Sequence, residues 1–387
     1  MLAPTNRLLA ADSVTLPFEN GERPLVKYPQ KRPLIRLTTR PPQLETPFRV
    51  FNEGILTPND AFFVRYHLAT IPSMQQLSTE TFRVAVKGKV SQPLSLSVAE
   101  LKAQFENVEL TAVNQCSGNS RGFFVPRVPG GQSGNGAMGN ARWRGVRLKD
   151  VLEKAGVAAG AKQVLFDGMD SAPMPTTPDF VKAIEIDQAL DGELLLAFEM
   201  NGEALPWLNG FPLRLVVPGH YGTYWVKHLN SITVIDDEFK GFWMNPAYRI
   251  PDNACGCVEP GTTPKKTVPI KRFNVRSFIT SLSDGAKVRA GESSVVRGIA
   301  FDSGYGIREV LFSSDDGRTW REATLGKDLG KYSFMEWTIP FTPTQAGTYS
   351  LKVKATNRLG QSQPLDPLWN PSGYMRNVVE TLRVEAA

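Results

Sequence analysis

The chain holds three cysteines and three histidines, so thiolate and imidazole chemistry have few places to reside. Cys116 lies in Thr111-Ala112-Val113-Asn114-Gln115-Cys116-Ser117-Gly118-Asn119-Ser120-Arg121-Gly122, where a strand-like run gives way to a small, polar, glycine-containing loop. Such a loop lets backbone approach a ligand and leaves the sulfur accessible. Arg121 nearby favours the thiolate, the form that binds metals or attacks. A single cysteine is more usually a small buried hydrophobe, so packing stands as the alternative. Cys–His nucleophilic catalysis would need His67, His220 or His228 as base, and spacing does not choose among them.

Phe62-Phe63-Val64-Arg65-Tyr66-His67-Leu68 places a guanidinium and an imidazole two residues apart. On a strand Arg65 and His67 share a face, where a forked donor and a second donor suit an oxyanion; a solvated strand face would read the same way. His220-Tyr221-Gly222-Thr223-Tyr224-Trp225-Val226-Lys227-His228 follows a strand ending at Pro218-Gly219. Sites often form there, and core aromatics are the other reading. Tyr248 could donate a hydrogen bond or relay a proton. Cys255-Gly256-Cys257 is too tight for a zinc knuckle and reads as loop. The glycine-dense stretch 130–140 lacks the Gly-Lys-Ser/Thr ending of a phosphate loop and the strand–helix frame of a dinucleotide fingerprint, so it reads as a long surface loop.

The elements that must position these residues come from a chain of 387 residues, 41% hydrophobic and 21% charged, for which two domains are expected. The cysteine count excludes a disulfide-built scaffold and a four-cysteine zinc site, and no Cys-x-x-Cys-His is present to attach a c-type haem. No apolar run approaches the ~18 residues of a membrane span. The net charge of +6 is scattered rather than massed with aromatics, which argues against nucleic acid. Met1-Leu2-Ala3-Pro4 lacks the basic start and apolar run of a signal peptide, as in a cytoplasmic or an already processed chain.

Residues 1–47 are Pro-rich and read as an extended arm packed on the core. Residues 48–252 mix strands (Phe82–Val86, Val108–Val113, Val164–Phe166, Leu194–Phe198, Leu213–Val217, Ile232–Ile235) with short helices. One helix starts at a Ser97/Glu100 capping box, and another spans Leu148–Ala155 and stops at Gly156. In residues 253–387 short strands recur (Ser294–Ala300, Arg308–Ser313, Ser333–Ile339, Thr348–Thr356, Val378–Val384), with a hairpin signal at Asp316-Gly317. The expected class is α+β: a mixed α/β domain followed by an immunoglobulin-like β-sandwich.

Taken together, the segments resemble the sulfite oxidase family of molybdenum enzymes, and most of all its bacterial periplasmic dehydrogenases. The resemblance rests on Arg65-Tyr66-His67, Asn114 to Asn119 with Arg121, Ala141-Arg142-Trp143-Arg144-Gly145 and Gly168-Met169-Asp170. It continues through Glu199-Met200-Asn201-Gly202, Asn209 to Arg214, Trp225-Val226-Lys227 and Ala247-Tyr248-Arg249. It implies a molybdopterin molybdenum cofactor with Cys116 as the one protein ligand of the metal, and no haem on this chain. It implies that Tyr66, His67, Leu68, Asp170, Asn209, Arg214, Trp225, Val226 and Lys227 hold the pterin, while Arg65, His67, Arg121 and Tyr248 serve catalysis. Sulfite would be oxidised to sulfate, with electrons passed singly to a c-type cytochrome, either a tightly bound subunit or a transient partner. A homodimer through the sandwich and a periplasmic location are further implications. Asn209 stands where the animal enzymes have histidine, and Tyr66 where they have asparagine. Rival readings are the same chemistry on another small oxyanion such as nitrate, and a non-catalytic β-sandwich binding protein.

Overall fold

The computed structural model describes residues 12–387. Strands dominate, and the three α-helices among the described residues, Val98–Gln104, Leu148–Ala155 and Ile186–Ala189, are short. The helix starts follow the local chemistry. The Ser97 hydroxyl accepts the Glu100 N–H at 3.0 Å, and the Glu100 carboxylate accepts the Ser97 N–H at 2.7 Å. The second helix ends at Gly156 in the left-handed region and buries Leu148, Val151, Leu152 and Ala155. Truncating Leu152 to alanine there would cost roughly 2–5 kcal/mol.

The N-terminal stretch corrects one expectation. From Ser13 onward it is a strand meander (Ser13–Thr15, Glu22–Val26, Leu34–Thr38, Gln43–Glu45) that pairs with Val64–Arg65, and not a plain extended arm. Its prolines sit mainly at turns and strand ends, where no ladder bond is lost. Residues 1–11 of that stretch lie outside the described residues. The glycine-dense stretch is corrected as well. Gln132, Ser133, Ala137 and Asn140 are buried, and Met138–Arg147 is strand. Gly134 and Gly136 donate their N–H groups to the buried Glu45 carboxylate, at 2.9 and 2.7 Å.

Two sheets frame the middle of the chain. One runs Lys182–Glu185, Gln163–Gly168, Leu229–Ile235, Val84–Gly88, Leu94–Leu96, with one parallel pairing between Leu229–Ile235 and Val84–Gly88. The other runs Glu203–Ala204, Leu195–Met200, Met138–Arg147, Asn107–Gln115, with Arg214–Val216 also on Leu195–Met200. Trp143 is fully buried, and its indole N–H donates to Ala112 O at 3.0 Å. The C-terminal part is a β-sandwich of a four- and a five-stranded sheet closed over Trp337, Phe312, Val296 and Leu351.

The two parts meet at the Cys116 loop. Ser120, in the left-handed region, accepts both terminal nitrogens of Arg276 at 3.0 Å. Glu380 accepts from Arg276 (3.2 Å), Arg376 (2.6 Å) and Asn135 (2.6 Å). Arg276 is 1% exposed, so its charge depends on Glu380; burial pulls its pKa down to about 10.

Candidate active site

Cys116 is the first residue after the Asn107–Gln115 strand. Its N–H donates to Ala137 O at 2.9 Å, and its O accepts from Asn119 N–H at 2.9 Å. The Asn119 side chain closes the loop by accepting the Ala137 N–H at 2.9 Å. The thiol is free and half-buried, at the junction of two adjoining cavities. Arg65, His67, Asn209, Arg214, Trp225, Lys227 and Tyr248 line the larger cavity with Cys116. Arg121 lines the smaller one, which shares Arg65 and Cys116 with the first.

Tyr66, Leu68, Asp170 and Val226 do not line either cavity and stand behind it. The Tyr66 hydroxyl meets His228 Nε2 at 2.6 Å while His228 Nδ1 meets Phe211 O at 2.7 Å. A carbonyl only accepts, so Nδ1 carries the proton and Nε2 accepts from tyrosine. Burial holds this imidazole neutral by lowering its pKa to about 3. Lys227 packs its ammonium over the Tyr66 ring at 4.2 Å and donates to Arg65 O at 2.7 Å. Burial, then Arg214, pull the Lys227 pKa down to about 7. Asp170 is pushed up to about 6 by burial, against the pull of Lys227.

The strand expected through His67 ends at Arg65, so the two residues do not share a strand face. They reach the same cavity because the chain turns beyond the Gln43 pairing. His67 stacks on Phe180 at 3.8 Å, sits edge-on to Trp243, and its Nε2 meets the Tyr248 hydroxyl. Burial and then Arg65, Lys227 and Lys182 depress the His67 pKa well below its ordinary value. Burial raises that of Tyr248. Both groups are therefore neutral, and they share one hydrogen bond.

Several participants leave no local sequence signal. Lys31 is 2% exposed and donates to Asn59 O (2.6 Å), Phe62 O (3.0 Å) and Asn209 Oδ1 (2.5 Å). Asn209 Nδ2 donates to Phe63 O at 3.1 Å, so most of that amide is committed to protein. Lys182, fully buried, lies 5.0 Å from the Tyr248 ring centre. Tyr374 arrives from the sandwich. It stacks on Tyr248 at 5.3 Å and takes the Arg121 guanidinium over its ring at 4.9 Å, while Met375 N–H donates to Ser117 O at 2.9 Å. Arg121 is sheathed by Gly118 and Gly373: a Cβ on Gly118 would sit 2.8 Å from its Cζ, and one on Gly373 3.0 Å from its Nε.

Asn114 Oδ1, Ser117 Oγ, Thr223 Oγ1 and Arg214 Nε face this region buried and without a partner. Orphaned donors and acceptors that converge on one cavity, beside a free thiol, are what a polar, metal-bearing ligand needs. The Cys255 and Cys257 sulfurs, read as loop residues without a role, are joined in a disulfide away from this cavity.

Residues 69–243 match the family described as oxidoreductase molybdopterin binding domain, and residues 267–386 match the Mo-co oxidoreductase dimerisation domain. Sulfite oxidase of Gallus gallus is 35% identical over 375 residues, covering 92% of this chain and 79% of that protein. Sulfite oxidase of Arabidopsis thaliana is 30% identical over 383 residues, covering 93% and 96%. Among solved structures, the sulfane dehydrogenase SoxCD of Paracoccus pantotrophus superposes with a TM-score of 0.77 at 24% identity, covering 94% of this chain and 88% of that one.

Proposed function

The chain belongs to the sulfite oxidase family of molybdopterin enzymes, and from that premise we propose that it oxidises sulfite to sulfate and hands the two electrons singly to a c-type cytochrome. The observation that carries the reading is the free Cys116 thiol at the junction of two cavities lined by Arg65 and Arg121. Neither arginine is in an ion pair among the described residues.

The residues present fit the cofactor. Cys116 supplies the one thiolate a dithiolene-bound metal asks of the protein. The orphaned Asn114, Ser117, Thr223 and Arg214 atoms would give the pterin polar contacts, with His67, Asn209, Trp225 and Lys227 on the same wall. Tyr66 lies under the Lys227 ammonium and Asp170 faces its charge, while Leu68 and Val226 are buried outside both cavities. When bound, the molybdenum supplies a two-electron acceptor and a source of oxygen. The chain's own groups do the rest. The guanidinium forks of Arg65 and Arg121 bind the small dianion and orient it. His67 stays neutral and shares a hydrogen bond with the Tyr248 hydroxyl, which keeps that hydroxyl fixed beside the anion. Phe180 and Trp243 pack around the imidazole and keep water from its ring.

Protein made in a cofactor-competent host with molybdate is expected to contain about one molybdenum per chain and to reduce ferricytochrome c when sulfite is added. Protein without molybdenum would overturn the reading, and turnover with nitrate in place of sulfite would move it to another oxyanion. Cys116→Ser is expected to fall below about a hundredth of wild-type turnover. Pairing of two copies through the sandwich belongs to the same proposal; a light-scattering mass of 42.7 kDa, that of one chain, would count against it. So does a periplasmic location, which the closed Cys255–Cys257 disulfide supports because such bonds persist in oxidising compartments.

A further inference from the structure

A third cavity is lined by Tyr374, whose ring also carries the Arg121 guanidinium. One wall is the Asn253–Gly256 turn carrying the disulfide; the other is the chain around Asn370–Val378. The disulfide joins residues separated by two positions, so closing it removes little chain entropy and folding adds little to its hold. Cys255 is exposed and Cys257 half-buried. Exposed disulfides are the labile ones in thiol–disulfide exchange.

The surroundings favour an anionic nucleophile. No carboxylate lines the cavity, whereas Asn253, Asn274, Asn377 and Arg376 do. Arg376 is also paired with Glu380 at 2.6 Å, and the Asn274 and Asn377 amide groups donate to Met375 O at 3.1 Å and Val275 O at 3.3 Å, so each amide has only its second N–H to offer an oxygen atom. The Asn253 side chain already grips the turn, donating to Cys257 O at 2.8 Å and accepting Cys257 N–H at 3.2 Å.

We propose that the Cys255–Cys257 disulfide is a covalent sulfite site: the sulfur of sulfite bonds to Cys255 Sγ, the S–S bond breaks, and Cys257 leaves with the electron pair as a thiolate. The product is an S-sulfocysteine beside a free thiol. No outside oxidant or reductant is needed, and return attack by Cys257 releases sulfite and recloses the bond. The proposal rests on sulfite being the molecule this protein meets, and its chemistry is separate from the molybdenum site. The two places are linked in structure. Val258 N–H donates to Trp369 O at 2.9 Å, and the same chain segment carries Tyr374 against Tyr248.

The test is intact-mass and peptide mass spectrometry on the full-length holoenzyme held with sulfite and no electron acceptor, with oxidised glutathione in the same vessel as reference. The expected result is a gain of SO3 plus two hydrogens on the Cys255–Cys257 peptide relative to the disulfide form, one new thiol at Cys257 found by alkylation and peptide mapping, and a larger opened fraction than the reference. A disulfide still closed when the reference has been cleaved overturns the proposal. Cys255→Ser is expected to lose the adduct, and an adduct that persists in it would reassign the site. Cys116→Ser is expected to keep the adduct while losing turnover, so failure here is distinguishable from failure of the molybdenum reading.

Discussion

Two arginine settings lie on opposite sides of the Cys116 loop. On one side Arg276 and Arg376 converge on Glu380, with Ser120 and Asn135 completing the cluster. On the other, Arg65 and Arg121 face cavities and are answered by a backbone carbonyl and an aromatic face. The first setting has its charge cancelled within the protein and can only hold structure. The second is left electrically incomplete, which costs stability and makes a place for an anion. One loop therefore receives rigidity from behind and a field from in front.

The largest expected effect breaks the buried side. Arg276→Met removes one of the three donors to Glu380 and the two bonds to Ser120, and should destabilise the fold by roughly 2–3 kcal/mol, read by denaturant unfolding. Stability within error of wild type would show that the cluster is dispensable. Arg121→Met tests the open side. It should leave unfolding nearly unchanged and cut kcat/KM for sulfite roughly thirtyfold, the worth of a charged hydrogen bond. A drop in stability without a change in KM would reverse the assignment. Tyr374→Ala removes the ring under Arg121 and should raise KM about fivefold, with Tyr374→Phe keeping most of the effect of the ring. Equal kinetics for the alanine variant and wild type would remove Tyr374 from the site.

The smallest effect is a slope. His228 has a pKa depressed to about 3 from 6.5, so its neutral form contributes stability that is complete above pH 6.5 and lost as pH falls towards 3. Tm should therefore fall on acidification through that window, and less steeply in His228→Gln. Parallel slopes would show that the buried imidazole is not a source of acid sensitivity.

Much of the molecule is legible in its sequence where the cause is local. The Ser97 capping box, the helix ending at Gly156 and the strand leading to Cys116 each follow from residues within a few positions. The sandwich follows from recurring short strands. What escapes is what depends on distant chain. Lys31 reaches Asn209 across 178 positions, and Tyr374 meets Tyr248 only after the C-terminal part folds back. Arg65 and His67 would share a face only if the strand ran on through His67, and no local signal reports that the Gln43 partner runs out at Arg65. The glycine-dense stretch reads as surface because no local signal reports the Glu45 carboxylate that its N–H groups enclose.

Tyr374 and Met375 belong by sequence to the sandwich, yet Tyr374 stacks on Tyr248 of the cavity wall and Met375 N–H donates to Ser117 O beside Cys116. The chain is thus not a catalytic cassette with a detachable accessory. Exchanging the C-terminal part for that of a relative would also exchange the ring that backs Tyr248 and seats Arg121.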